Sequence, residues 1–416
     1  SPDYFAFQLG IYYSLNMNLE NAISEFLTFL KYNPKKKTLV SNRIMAFPDI
    51  ESIQMKIRDI LNKSDINEAK LILADLEFKE KKYQKSYAII KEYSIDDNEK
   101  ISFVNNLIKL NEYELAQLVI KDILNESIDK KILKKAIIQS AKIFEKLLIA
   151  NNYDLPISDK INKSELFNSK YIKVDESNSV FLNKAIAIYD SLSTSSIDNE
   201  APYYLAEIKY RILGDLDGAQ LLYEQIINNK RSQKLKYEAT SRILDVMISK
   251  GELEKTQEKI NELKNSKSIE KIEKLLDIKR IQVLFYQNNV EQMQLETEML
   301  LKKNIKNNKF YNDILKLKSN VLLFFDNNNE LNQYSNSMLK IYQNKRTEAI
   351  NIMSTLKNSL NNQISEKIIY ELSYQNLLQG NINIALESLE QIPANSAYIE
   401  SALLLKAEIY DYVMHD

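Results

Sequence analysis

The stretch Ala201 to Asn229, APYYLAEIKYRILGDLDGAQLLYEQIINN, limits the possible folds more than any other part of the chain. It reads as two helices folded back on each other. Tyr203, Ala206 and Tyr210 share one face of the first helix, at the three- and four-residue spacing of a helical stripe. Gly214-Asp215-Leu216-Asp217-Gly218 then stops that helix with a residue that tolerates positive φ. Ala219, Leu222, Tyr223 and Ile226 give the second helix its own apolar stripe. Aligned on the turn, the pattern recurs along most of the chain. The chain holds only 5 Gly and 6 Pro, where average usage would give roughly 50. Few hairpins or long loops can be built from that supply, so the expected fold is all-α.

The first unit, Asp3 to Lys36, contains Leu9-Gly10, Tyr13, Ala22, Phe26 and Pro34. These residues resemble the tetratricopeptide repeat (TPR), W-x2-L-G-x2-Y, then A-x3-F, then P, over about 34 residues. Ala6 stands where that pattern has Trp. Small Gly10 and Ala22 suit a helix crossing, Tyr13 and Phe26 fill its seam, and Pro34 ends the second helix. Val40 to Lys63 reads as an irregular pair. The pattern resumes with Leu73, Ala74, Phe78, Tyr83, Ser86 and Ile90, and again with Leu107, Tyr113, Ala116, Ile120 and Ile123.

Ile132 to Ala150 reads as a first helix whose partner, around Leu182, Ala185, Tyr189 and Leu192, follows only after a polar stretch. That divides the chain into an N-terminal array at 1–150, an inserted loop or hinge at 151–179, and a C-terminal array at 180–416. The loop is expected to be the first site of proteolysis, because few of its apolar residues are periodic. Later units are centred on Gly251, on Leu284 with Val290, on Val321 with Leu331, and on Gly380. Thr347 to Leu360 reads as an additional helix, and Ala397 to Met414 as a last helix without a partner. The five glycines are assigned to one helix crossing, Gly10, and to turns, Gly214, Gly218, Gly251 and Gly380.

Several chemistries are excluded. The chain has no Cys, so it has neither disulfides nor thiolate sites. Its one His, His415, cannot build a triad or a His metal site. No glycine cluster exists to cradle phosphates. Lys and Arg number 56 against 57 acidic residues, without the basic footprint that nucleic acid requires. No apolar run has the length of a membrane span. The missing cysteines favour a bacterial periplasmic or envelope location, with the cytoplasm as the alternative. No cofactor or metal is expected.

The resemblance implies a right-handed superhelix (an α-solenoid of antiparallel helix pairs) whose concave groove, lined by first helices, binds a peptide or protein partner. In this numbering the groove positions would be Tyr204, Arg211, Ser241, Asp245, Gln282, Tyr286, Tyr370 and Tyr374. The expected role is a non-enzymatic interaction scaffold. The alternative is a substrate-presenting or accessory part of a larger enzyme or envelope assembly complex. Tyr4, Phe5 and Phe7 at one end, with Leu403, Ala407 and Tyr410 at the other, suggest self-association through the chain ends.

Overall fold

The computed structural model describes residues 4–94, 96–147, 155–174, 179–193, 200–228, 233–265, 272–303, 306 and 308–415. Among the described residues the regular elements are helical, with no β-strand. The chain divides into two compact units, Ser1–Leu147 and Leu148–Asp416.

The first unit comprises α1 (Ala6–Leu15), α2 (Leu19–Tyr32), α3 (Lys37–Met45), α4 (Glu51–Lys63), α5 (Asn67–Lys79), α6 (Tyr83–Tyr93), α7 (Asp97–Lys109), α8 (Tyr113–Glu126) and α9 (Lys130–Leu147). The second begins with the short α10 (Ser158–Asn162), then α11 (Ser179–Ser193), α12 (Glu200–Ile208), α13 (Leu216–Asn228), α14 (Gln233–Lys250) and α15 (Leu253–Lys264). It continues with α16 (Glu273–Tyr286), α17 (Val290–Lys302), α18 (Tyr311–Leu323), α19 (Asn328–Tyr342), α20 (Arg346–Leu356), α21 (Asn362–Leu378), α22 (Ile382–Leu389) and α23 (Ile399–Glu408). In each unit the strongest packing joins helices that follow one another in the chain.

One backbone device builds the helix hairpins. Met17, Lys81, Asn111, Gly214, Gly251, Asn288, Asn344 and Gly380 all have φ between 56° and 87°, and each separates two helices. The residue after each donates its N–H to a carbonyl of the preceding helix at 2.8 to 3.0 Å, which closes the helix end. Five positions beyond the left-handed residue lies Ala22, Ser86, Ala116, Ala219, Thr256, Met293, Ala349 or Ala385, each at most 1% exposed. At all of these but Met293 a small side chain lets the second helix lie close against the first. Gly10 shows how close: a Cβ on it would come within 2.5 Å of the Phe26 ring.

These turns revise the sequence-based pairing in three places. The helix expected at Thr347 to Leu360 is α20, the second helix of a hairpin with α19, because Asn344 takes the left-handed conformation that glycine supplies elsewhere. α18 packs on α17, and Phe325 after it is 65% exposed. Gly218 lies inside α13, where its N–H donates to Asp215 Oδ1 at 2.9 Å. In the second unit α11 packs on α12. The described part of the stretch expected to be a loop, residues 155–174, belongs to the second unit and is docked there. Residues 151–154 and 175–178 lie outside the described residues.

Candidate polypeptide-binding face

Residues 155–172 cross the helices of the second unit in reverse chain order, from α23 to the helical turn Lys209–Leu213 that continues α12. Leu155 is 1% exposed and packs with Ile369, Leu377, Leu405 and Ile409. The N–H groups of Ile157 and Ser158 donate to the two carboxylate oxygens of Glu408, at 2.7 and 2.8 Å. This places a negative charge at the start of α10, where orphan N–H groups favour it. Further on, the Tyr374 hydroxyl donates to Asp159 Oδ1 at 2.9 Å, and Asn162 Nδ2 donates to the Tyr370 hydroxyl at 2.9 Å.

The segment then meets α18 and α16. Leu166 is fully buried, its N–H donating to Asp313 Oδ2 at 3.0 Å and its carbonyl accepting from Gln282 Nε2 at 2.6 Å. Burial raises the Asp313 carboxyl above its ordinary range, against the hydrogen bonds from Ser164 and from the backbone. Phe167 lies edge-on to Phe285 and Tyr286, ring centres 5.6 and 6.2 Å away. Last, Ile172 donates its N–H to the Arg211 carbonyl at 2.8 Å, while Arg211 Nε donates to the Lys170 carbonyl at 3.1 Å. The Tyr171 ring stands edge-on to Tyr210 at 5.9 Å.

Thus side chains from α23, α18, α16 and the turn after α12 bond the main chain of one segment, which contains the short helix α10, and apolar pockets take its side chains. Both are what a polypeptide groove must do, since unpaired buried N–H and C=O groups are costly. Gln282, Tyr286, Tyr370 and Tyr374, four of the positions derived from the sequence, lie buried at or beside this contact. Arg211 holds the far end of the segment through its backbone and its side chain. Tyr204 is half-buried and stacks on Tyr189 at 5.4 Å, and Ser241 is half-buried on α14.

Asp245 is part of a buried charge cluster. It pairs with Lys279 at 2.6 Å and Arg242 at 3.2 Å, and accepts from the Tyr342 hydroxyl at 2.8 Å. Burial opposes its charge, but Lys279 and Arg242 outweigh that and hold the carboxyl below the usual range. Arg242 also pairs with Glu207 at 2.7 Å, and Glu207 accepts from the Tyr223 hydroxyl at 2.6 Å. Lys170, from the docked segment, is pushed down to about 8 by burial, with Asp245 acting in the opposite direction.

Glu408, Asp313, Asp159 and Asn162 were not among the positions read from the sequence. Their one visible signal is the apolar pairs Leu155 with Ile157 and Leu166 with Phe167, set in an otherwise polar run without helical period. Among the described residues no cluster of acidic and His side chains could hold a metal ion, and no helix is long and apolar enough to cross a membrane.

No family model and no curated protein matches the chain. Among solved structures it is similar to the P58(IPK) TPR domain at 15% identity, covering 91% of this chain and 98% of that one, with a TM-score of 0.22. It is also similar to the APC/C hetero-tetramer Cut9-Hcn1 at 11% identity, covering 100% and 92%, TM-score 0.23. The yeast Tom70 structure matches at 15% identity, covering 100% and 97%, TM-score 0.19. The hairpins and their left-handed turns decide the fold. Among the described residues the chain is an all-α array of successive helix hairpins.

Proposed function

We propose that this TPR-like chain is a non-enzymatic scaffold whose second unit binds an extended segment of a partner protein. The observation that supports the reading is the docking of residues 155–172, whose main-chain N–H and C=O groups and apolar side chains are held as a partner segment's would be. Tyr370, Tyr374, Gln282, Tyr286 and Arg211 are then binding residues occupied by the chain itself, and Tyr204 and Ser241 extend the same face. Asp245 supports the face from beneath. A partner segment is expected to carry aliphatic or aromatic anchors in the places of Leu155, Leu166 and Phe167, and to leave main-chain N–H groups free for Glu408 and Asp313. It competes with a tethered segment whose effective concentration is on the order of millimolar. Exchange therefore favours partners that bind several of these subsites together.

The test uses a variant in which a Gly/Ser linker replaces residues 155–173, and a fluorescent peptide of that sequence. Saturable binding by anisotropy, weakened at least tenfold by Tyr370→Ala with Tyr374→Ala, supports the reading. A folded variant that does not bind the peptide refutes it. If the replacement prevents folding, Leu166→Asp in the intact chain serves instead. Undocking should then expose Lys170, which burial covers in the docked state, to trypsin and open the face to the peptide, and continued protection of Lys170 refutes the reading.

A further inference from the structure

A cavity of about 420 Å³ lies between the docked segment and helices α18 to α21. Its walls are of two kinds. Phe167, Leu317, Met338, Ile341, Met353 and Leu378 give an apolar body. Arg346, Glu371 and Gln375 bring polar groups, and each has a buried atom without a hydrogen-bond partner: Arg346 Nε, Glu371 Oε2 and Gln375 Oε1. Three unpaired buried polar atoms around one cavity are unusual, because buried polar groups normally find partners and each unpaired one carries a desolvation penalty.

The charges decide what could satisfy them. Lys173, Lys316 and Arg346 line the cavity against a single carboxylate, Glu371, which Lys367 already neutralises. The remaining field is positive, so an anion is favoured over a cation. The two unpaired acceptors, Glu371 Oε2 and Gln375 Oε1, sit one helical turn apart on α21 and require a donor. Arg346 Nε requires an acceptor, and its guanidinium is already oriented by Nη1 donating to the Leu378 carbonyl at 3.0 Å. We infer that this cavity binds a small amphipathic carboxylic acid that also carries a hydroxyl or N–H donor. The carboxylate would face Arg346 and Lys316, the donor would face Glu371 and Gln375, and the apolar body would lie among Met338, Ile341, Met353 and Leu378. A cavity of this volume falls within the range of small-molecule sites. Residues 162–173 form one wall of it, so an occupant would touch both the segment and the helices.

The probe is 2-hydroxy-3-phenylpropanoate, titrated into the full chain by calorimetry. For a ligand of this size Kd is expected between roughly 10 µM and 1 mM. 3-Phenylpropanoate, which lacks the donor, should bind at least 3-fold more weakly, and 3-phenylpropane-1,2-diol, which lacks the charge, at least 10-fold more weakly. Arg346→Gln should weaken binding at least tenfold, and Met338→Trp should abolish it by filling the cavity. Lys316→Gln alters only an exposed rim residue, keeps the fold testable if the others do not, and should weaken binding at least 3-fold. Absence of saturation at 10 mM means that water alone fills the cavity and overturns the inference. Equal affinity for all three probes, or binding by Lys316→Gln as tight as by the unchanged chain, also overturns it.

Discussion

Replacing Asp245 by Asn separates a buried structural charge from a binding residue. Asp245 is 2% exposed and Lys279 is 1% exposed, and their charged atoms lie 2.6 Å apart. At that distance and an effective dielectric constant of about 20, the attraction is about 6 kcal/mol before either ion's desolvation is counted. Desolvation offsets much of this while both ions are present. Removing one leaves the other's cost uncompensated. Arg242 would keep Glu207, but Lys279 would keep no carboxylate, only Gln282 Oε1 at 2.9 Å and the Tyr342 ring at 5.9 Å among the described residues. Asp245→Asn is therefore expected to destabilise the second unit by about 3–5 kcal/mol. Lys279→Met, added to it, removes the stranded ammonium and should recover at least about 2 kcal/mol.

Urea unfolding followed by circular dichroism, with all four members of the double-mutant cycle, measures this coupling. The pH dependence supplies an independent sign. Because the Asp245 carboxyl is held below its ordinary value in the folded chain, its contribution is present above the unfolded pKa of about 3.9 and is lost as pH falls through the lower folded value. Asp245→Asn should flatten that acid limb. A loss below about 1 kcal/mol, or no rescue by Lys279→Met, would refute the argument and return Asp245 to the list of direct partner contacts.

Other expectations follow from the same geometry. Lys170 is pushed down to about 8 from its ordinary 10.5, so the docked state gains stability as pH rises from about 8 towards 10.5; Lys170→Met should remove that slope in hydrogen exchange of residues 155–172. Gly10→Ala forces its Cβ against Phe26 and should cost about 1–3 kcal/mol, read as a lower urea midpoint of the first unit. Lys81 carries a φ of 61° without glycine's freedom, so Lys81→Gly should stabilise that turn by up to about 1 kcal/mol, and a lower melting temperature would contradict it. Tyr4 and Phe5 are 72% and 64% exposed, and we propose that they drive self-association; light scattering should show it weakened in Tyr4→Ser with Phe5→Ser.

Much of the fold was legible because the repeat has a strong local grammar. Gly214, Gly251 and Gly380 announce their turns, and Ala22, Ala116, Ala219 and Ala385 mark the crossings after Met17, Asn111, Gly214 and Gly380. Legibility failed at one turn, where Asn344 adopts glycine's conformation. Asn344 and Asn288 turn the chain as Gly251 does, yet asparagine is common in this composition and carries no signal by itself. The Val321–Leu331 pairing and the extra helix at Thr347 were both consequences of passing over Asn344. Counting back from Ala349, buried and five positions on, would have located that turn.

The candidate site was legible only by halves, and the reason is physical. Helix periodicity reveals which residues share a face, so Gln282, Tyr286, Tyr370 and Tyr374 could be assigned to first helices. It cannot reveal what covers that face. An extended segment that docks through main-chain N–H and C=O groups needs few side-chain identities, because Glu408 and Asp313 accept N–H groups that every non-proline residue has. Its anchors are few, and without a helical period they resemble the apolar residues of any loop. Polarity led residues 151–179 to be read as a loop, whereas Leu155 and Leu166 are at most 1% exposed. In the proposed partner complex, the property that hides such a segment in a sequence would make the face general: a groove gripping backbone with carboxylates and amides, and side chains with two or three apolar pockets, would accept any segment with correctly spaced anchors. Specificity must then come from the spacing between the Leu155 and Leu166 pockets. Moving an anchor of the displacing peptide by one residue should cost it more affinity than exchanging Leu for Ile or Met at a fixed position.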